Sequence, residues 1–345
     1  MSYLRDEIHE QPHVLANLLD RQAQGAARIA AAIRARGARY AVIAARGTSD
    51  NAARYLQYLF GALNRMPVAL ATPSLFSIYQ TPPWIGEALV LGVSQSGQSP
   101  DIVAVVEEGK RQGALTVAVT NDPDSPLARA ADYVLPLEAG QERAVAATKT
   151  YTAQLAALAL LAVQLAGNEE RLNELRQVPA AVERTLALES TVSQFAQRYT
   201  YATECVVLGR GYNYATAFEI ALKLKELTYI VTEPYSSADF RHGPVAIVER
   251  GFPVIAVAPQ GAVYHDMLAL TRELADREAE LLIISDQEEA LRLASTPLRL
   301  EASLPEWLSP FTCVIPGQLL ALYITLAKGY DPDHPRGLRK VTETR

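Results

Sequence analysis

From Leu89 to Val93 the chain is apolar without interruption, and the run stops at Ser94-Gln95-Ser96-Gly97-Gln98-Ser99. An apolar run this short reads as a strand buried on both faces, the signature of a parallel sheet covered by helices. Pro100 suits the first turn of a helix and Asp101 favours a helix N-terminus. Ile102, Val103, Val105 and Val106 carry that helix on. A strand that becomes a helix through hydroxyl residues and a glycine is an anion site, because free backbone N–H groups and the helix dipole both point at the turn. Three serines and Gln95 suit a phosphate ester held by hydrogen bonds rather than by a lysine. The plainer alternative for a Ser-x-Ser-Gly stretch is a capped, serine-rich loop.

The same alternation runs along the whole chain. Tyr40–Ala45, Val68–Ala71, Leu115–Val119 and Tyr133–Leu137 read as further strands with helices between them. This predicts an α/β fold with a doubly wound parallel sheet, flavodoxin-like, an αβα sandwich. In such sheets ligands sit beyond the carboxyl ends of the strands, where the turns Gly47-Thr48-Ser49 and Ser94–Ser99 both lie. The pattern then restarts at Glu204–Leu208 and repeats its element order, which indicates an internal duplication. The expected organisation is a helical segment over 1–36 broken at Pro12, a phosphate-binding domain over 37–167, a helical connector over 168–200, a second domain carrying acid–base residues over 201–330, and a tail over 331–345. The halves differ at the anion turn. Ala258-Pro259-Gln260-Gly261 is the counterpart of Ser94-Gln95-Ser96-Gly97, and there Pro259 lacks an N–H and the hydroxyls are gone.

Composition narrows the classes. A length of 345 residues allows about two domains. A net charge of −6 without a basic run gives no reason to expect nucleic acid or a membrane surface as partner. The N-terminus has no apolar signal core, and the apolar stretch Tyr151–Ala166 is short for a membrane span and carries Gln154 and Gln164. A cytoplasmic location is expected. Cys205 and Cys313 sit in apolar surroundings without a C-x-x-C or histidine partners, so they read as reduced core thiols, and no metal or cofactor is expected.

Chemistry concentrates in the second half. On a helix, Lys223 and Glu226 are three residues apart and share a face. The helix is otherwise rich in apolar residues, so a buried carboxylate beside an amine is expected there, tuned as a general base requires. The competing reading is a solvated ion pair. His242 lies in Phe240-Arg241-His242-Gly243-Pro244, away from any apolar periodicity, and is a general acid–base candidate. Near the C-terminus, Pro335–Glu343 has the composition of a surface tail, but a lysine there is also able to close on the site as a mobile amine and form a Schiff base with a ketose carbonyl.

Taken in order, these residues resemble the sugar isomerase (SIS) superfamily, in particular the isomerase half of glutamine–fructose-6-phosphate aminotransferases. The resemblance runs from Glu7-Ile8-His9-Glu10-Gln11-Pro12 through Gly47-Thr48-Ser49, Ser94-Gln95-Ser96-Gly97, Ala147-Thr148-Lys149, Ala221–Glu226 and His242-Gly243-Pro244 to Asp333-His334-Pro335-Arg336. It implies two tandem SIS domains, a phosphosugar substrate and a homodimer with a shared active site. It further implies that Ser94, Gln95, Ser96 and Ser99 hold the phosphate, with Ser99 in place of the usual threonine. Thr48 and Ser49 then close on the sugar, and Val145 gives a backbone contact. Glu226 shuttles a proton between C1 and C2 with Lys223 as partner. His242, supplied by the neighbouring subunit, opens the ring, and Lys340 forms the Schiff base. There are departures: Arg46 replaces a small residue or cysteine, Gln98 an acidic one and Ala147 a serine. No N-terminal glutaminase segment precedes the pattern, so glutamine-dependent synthesis by this chain alone is not expected.

The expected activity is a metal-independent isomerase and aminosugar deaminase, taking glucosamine 6-phosphate or galactosamine 6-phosphate to fructose 6-phosphate or tagatose 6-phosphate and ammonia. A fructosamine-6-phosphate deglycase and a synthase-type isomerase without glutaminase are the alternatives within the same chemistry. A non-catalytic sugar-phosphate sensor is the alternative from another class, although nothing here offers a DNA-binding segment.

Overall fold

The strand at Leu89–Ser94 is the centre of the first of two parallel five-stranded sheets in the computed structural model, which describes residues 2–301 and 304–340. Two helices precede it, α1 (Tyr3–Arg21) and α2 (Ala23–Arg36). The first half then runs β1 (Ala41–Ala44), α3 (Thr48–Asn64), β2 (Val68–Leu70), α4 (Pro73–Ser77), β3 (Leu89–Ser94), α5 (Pro100–Arg111), β4 (Leu115–Thr120), α6 (Pro126–Ala130), β5 (Tyr133–Pro136) and α7 (Lys149–Ala166). Three short helices follow, α8 (Glu169–Leu175), α9 (Val178–Leu186) and α10 (Glu189–Ala196). The second half is β6 (Glu204–Leu208), α11 (Asn213–Thr228), β7 (Val231–Tyr235), α12 (Ser237–Arg241), β8 (Pro253–Val257), α13 (Tyr264–Asp276), β9 (Glu280–Ser285), α14 (Glu288–Leu291), β10 (Thr296–Arg299) and α15 (Ser309–Ala327).

The two sheets have one topology. The first has the order β2-β1-β3-β4-β5, and the second, read from its β7 edge, has β7-β6-β8-β9-β10. Strand for strand, β3 corresponds to β8, and the duplication expected from the element order is present. Both central strands are buried at every position. In each, the register places apolar residues side by side, Ile43 beside Leu91 beside Val117, and Val207 beside Ile255 beside Leu282.

The chain packs as two compact units. The amino unit holds His13–Glu142, Lys149–Gln177 and, from the tail, the segment beginning at Arg339; the carboxyl unit holds the residues up to Pro12, Arg143–Thr148 and Val178–Leu338. The amino unit's sheet packs Val42, Ala44, Val90 and Ala118 against Ile102, Val105, Val106 and Leu127. The carboxyl unit does the same with Val206, Leu208, Val254, Ala256 and Ile283 against Phe240, Met267 and Leu270.

Four features differ from the sequence expectations. Pro12 does not break the first helix. A proline has no N–H for the carbonyl four residues back, and here Gln11 Nε2 donates to Ile8 O at 2.8 Å in its place, so α1 continues to Arg21. Secondly, β7 is a strand the sequence reading left out. It contains Pro234, which a sheet tolerates because β7 is an edge strand. Thirdly, the longest apolar helix is the last one, not Tyr151–Ala166. Among the described residues Glu306–Ala327 is long and apolar enough to cross a membrane, but 83% of its apolar window is buried inside the protein, the burial of a core helix. Gly317 lets α11 approach it: a Cβ there would lie 2.3 Å from Ile220 Cγ1. Finally, the carboxylate that lies deepest on the buried helix α11 is Glu219, not Glu226.

Candidate active-site residues

In the amino unit the Ser94–Ser99 turn joins β3 to α5, as the sequence requires. Gly97 takes φ 62°, a left-handed conformation. A Cβ there would also lie 2.2 Å from Ser125 Oγ, so only glycine fits. The Gly97 N–H donates to Ser94 Oγ at 3.1 Å and the Gln98 N–H to Ser96 Oγ at 3.3 Å, while the Ser99 side chain makes no capping hydrogen bond to α5. The turn is braced from behind, because Asn121 N and Thr120 Oγ1 both donate to Gln95 O, at 3.1 and 3.4 Å. The Asn121 side chain in turn donates to Gly140 O at 2.7 Å and accepts from Ala139 N at 3.0 Å, which ties the Ser94–Ser99 turn to the loop after β5.

Thr48 and Ser49 begin α3, after Gly47 at φ 52°. Ser49 is buried and accepts a hydrogen bond from Gln154 Nε2 at 2.8 Å, and Thr48 is partly open. Gln154 lies on α7, one turn beyond Thr150. Thr150 N and Oγ1 hold the Glu142 carboxylate at 3.1 and 2.8 Å, and Lys340 Nζ reaches the same carboxylate at 2.6 Å. Residues four apart on a helix share a face. One face of α7 therefore holds the Ser49 turn and, through Glu142, the amine of the tail. Lys340 is thus an anchored ammonium, not part of a loose terminus; residues 341–345 of the expected tail lie outside the described residues. Gln154 was legible as a polar interruption of an apolar stretch, whereas nothing in the sequence singled out Thr150 or Glu142.

Arg46, one of the departures from the family pattern, forms a clasp. Its guanidinium lies 2.9 Å from Asp101, whose side chain is fully buried at the start of α5. The carboxyl unit repeats this pair at the corresponding positions, where Arg210 after β6 lies 2.8 Å from Asp266 on α13. Arg241 and Ser237 also contact Asp266. Burial alone would raise the Asp266 carboxyl; the bonds from Ser237 and Arg210 outweigh it and hold it below its ordinary value.

In the carboxyl unit, α11 brings three charged groups together. Lys223, only 1% exposed, lies 2.6 Å from Glu226 and 3.5 Å from Glu219. Glu219 has no exposed surface, while Glu226 keeps a quarter of its side chain open. The sequence reading placed burial on Glu226; helical phase puts it on Glu219, one turn earlier on the same stripe as Lys223. An open carboxylate backed by a buried ammonium is able to take a proton from a ligand and return it. His242 caps α12, is exposed, and its ring has no partner among the described residues. Val145 is half-buried in a loop pinned to α1, where Arg143 N and Ala144 N donate to the Glu7 carboxylate. Glu7 was part of the resemblance without an assigned role; its role here is to fix that loop.

The anion turn of this unit is filled by the chain itself. Gln260 N donates to Asp286 Oδ1 and Ala262 N to Glu306 Oε2, both at 2.8 Å. Burial raises the Cys205 thiol to about 12 and Cys313 well above its ordinary value, as core thiols require. Among the described residues, no three or more His, Cys, Asp or Glu side chains are grouped so as to hold a metal ion.

A family model described as SIS domain matches residues 36–164 and 200–328. A glutamine–fructose-6-phosphate aminotransferase [isomerizing] of Thermus thermophilus is 36% identical over 98% of this chain, which spans 58% of the relative's length. The solved C-terminal domain of glucosamine-fructose-6-phosphate aminotransferase from Francisella tularensis superposes with a TM-score of 0.85 at 27% identity, covering 97% of this chain and 98% of that one. Glucosamine-6-phosphate deaminase from Thermotoga maritima shares the fold, with a TM-score of 0.81 at 21% identity, covering 99% of this chain and 100% of that one.

Proposed function

This chain belongs to the SIS domain family, and from that premise we propose that it is a phosphosugar isomerase and aminosugar deaminase. Its substrate is glucosamine 6-phosphate or galactosamine 6-phosphate, converted with one water to fructose 6-phosphate or tagatose 6-phosphate and ammonia. The observation that carries the reading is the α11 triad, in which buried Lys223 backs the partly open Glu226. A protein that only binds sugar phosphates has no use for such a pair.

In this reading Ser94, Gln95, Ser96 and Ser99 hold the phosphate, and Thr48, Ser49 and the Val145 backbone contact the sugar. Glu226 moves the proton between C1 and C2, with Lys223 neutralising the charge that develops nearby. His242, exposed and unpaired among the described residues, assists ring opening in the neighbouring subunit of a homodimer, and Lys340 forms an imine with the open-chain carbonyl. The test is ammonium release from glucosamine 6-phosphate, with galactosamine 6-phosphate and a fructosamine 6-phosphate beside it. Ammonium from a hexosamine phosphate is the expected result. Amino acid from the fructosamine substrate alone would make the protein a deglycase, and binding of all three without turnover would make it a sensor.

A further inference from the structure

We propose that Glu142 is the fixed counter-ion of Lys340, a positioning residue that seats the tail amine and keeps its nitrogen paired through imine formation. The inference rests on the reading of Lys340 as the imine-forming amine. The Glu142 side chain has no exposed surface. Two of its bonds come from the first turn of α7, from Thr150 N and Thr150 Oγ1, and that helix end favours an anion. A carboxylate so held does not follow the tail. Lys340, a quarter exposed and 2.6 Å away, comes to it across 198 residues of chain. Glu142 is therefore a socket, and the amine is what is plugged in.

The socket stands at the carboxyl edge of the sheet that carries the phosphate turn. Asn121 joins that turn to the loop leading to Glu142, and Thr150 and Gln154 on one face of α7 hold Glu142 and Ser49. The chemistry needs an anion here. An ammonium plus a carbonyl gives a protonated imine plus water, so one positive charge sits on the lysine nitrogen before and after. Within that sum, the ammonium gives one proton to solvent, the free amine forms the C–N bond, and a proton passes from nitrogen to the former carbonyl oxygen. The departing hydroxyl then takes a proton from solvent and leaves as water, while Glu142 stays a carboxylate throughout. The carboxylate ends unchanged and faces a cation at both ends of the step.

The test is trapping with cyanoborohydride in the presence of fructose 6-phosphate or glucosamine 6-phosphate, read by mass spectrometry of the peptide bearing Lys340. Wild-type protein should carry the reduced adduct on Lys340. Glu142→Gln, which takes away the seat 2.6 Å from the amine, should cut the yield on Lys340 about tenfold or more, as misplacing a reacting group does. Glu142→Asp, which keeps the charge, should restore the yield in large part and serves if the glutamine variant melts early. Equal trapping on Lys340 in wild type and Glu142→Gln would overturn the counter-ion role. Turnover by wild type with Lys340 never labelled would overturn the imine reading beneath it, a different result.

Discussion

The two halves share a strand order and an Arg–Asp clasp, yet their turns after β3 and β8 are satisfied by different groups. After β3 the turn presents Ser94, Ser96 and Ser99 around Gly97, and its N–H groups are met by its own hydroxyls. After β8 the matching turn has Pro259 and no hydroxyl, and its donors are taken by the carboxylates of Asp286 and Glu306. The scaffold therefore creates an anion position in both halves, as strand-to-helix turns do. In the second half two carboxylates of the chain itself occupy it. The buried charged cluster is distributed the opposite way, with Lys223 and Glu226 on α11, whereas the corresponding face of α3 carries Tyr55, Leu56 and Leu59. Duplication conserved the frame, while the hydroxyl-rich turn and the buried charged cluster lie in different halves.

The largest expected effect tests that division. Glu226→Gln should lower kcat by about 10²–10⁴-fold, the usual worth of a positioned general base, with KM little changed. An unchanged kcat would remove acid–base chemistry from the second half. Next, Ser96→Ala should weaken binding of fructose 6-phosphate about tenfold or more, since a hydrogen bond to a charged group contributes about 1.5–3 kcal/mol. Calorimetry should find one phosphosugar per chain, both in the wild type and in Glu306→Ala. Emptying the second turn does not give it back the N–H that Pro259 lacks. A second bound phosphosugar in either protein would break the comparison.

How much of this was legible varies with how local the signal is. The doubly wound sheet, the duplication and the Ser94–Ser99 turn were readable, because apolar runs and turn residues act within a few positions. The continuation of α1 through Pro12 was not, since it depends on one side chain, Gln11, replacing a backbone donor. The Glu142–Lys340 pair was hidden for another reason. Its members are 198 residues apart, and Glu142 lies in a loop without periodicity. Glu219 was hidden within a readable helix. Spacing put Lys223 and Glu226 on one face but did not say which carboxylate faces inward, and only packing against α15, with Gly317 at the contact, decides that.

The smallest effects concern the clasps, where the halves are most alike and differ in burial and in the further partners of Asp266. Asp101 has no exposed side-chain surface, whereas Asp266 is about a third open, at 36%. Removing a cation from a buried carboxylate costs far more than removing one from a hydrated carboxylate. Arg46→Ala should therefore destabilise by about 2–3 kcal/mol, at or below the low end for buried pairs because Arg46 itself is half exposed. Arg210→Ala should cost about 0.5–1 kcal/mol after solvent screening, the more so as Arg241 remains beside Asp266. Equal losses in thermal melts would mean that burial does not distinguish the two pairs. Acid separates the contributions further. The folded carboxyl of Asp266 lies below its ordinary value despite burial, because Ser237 and Arg210 favour its charged form. A depressed carboxyl contributes stability above the unfolded pKa, about 3.9, and loses it as pH falls through the lower folded value. Asp266→Asn should accordingly melt below wild type at pH 7, and the gap should close as the pH is taken below about 4. A gap that stays constant down to about pH 3 would mean that the clasp acts through packing rather than through its charge.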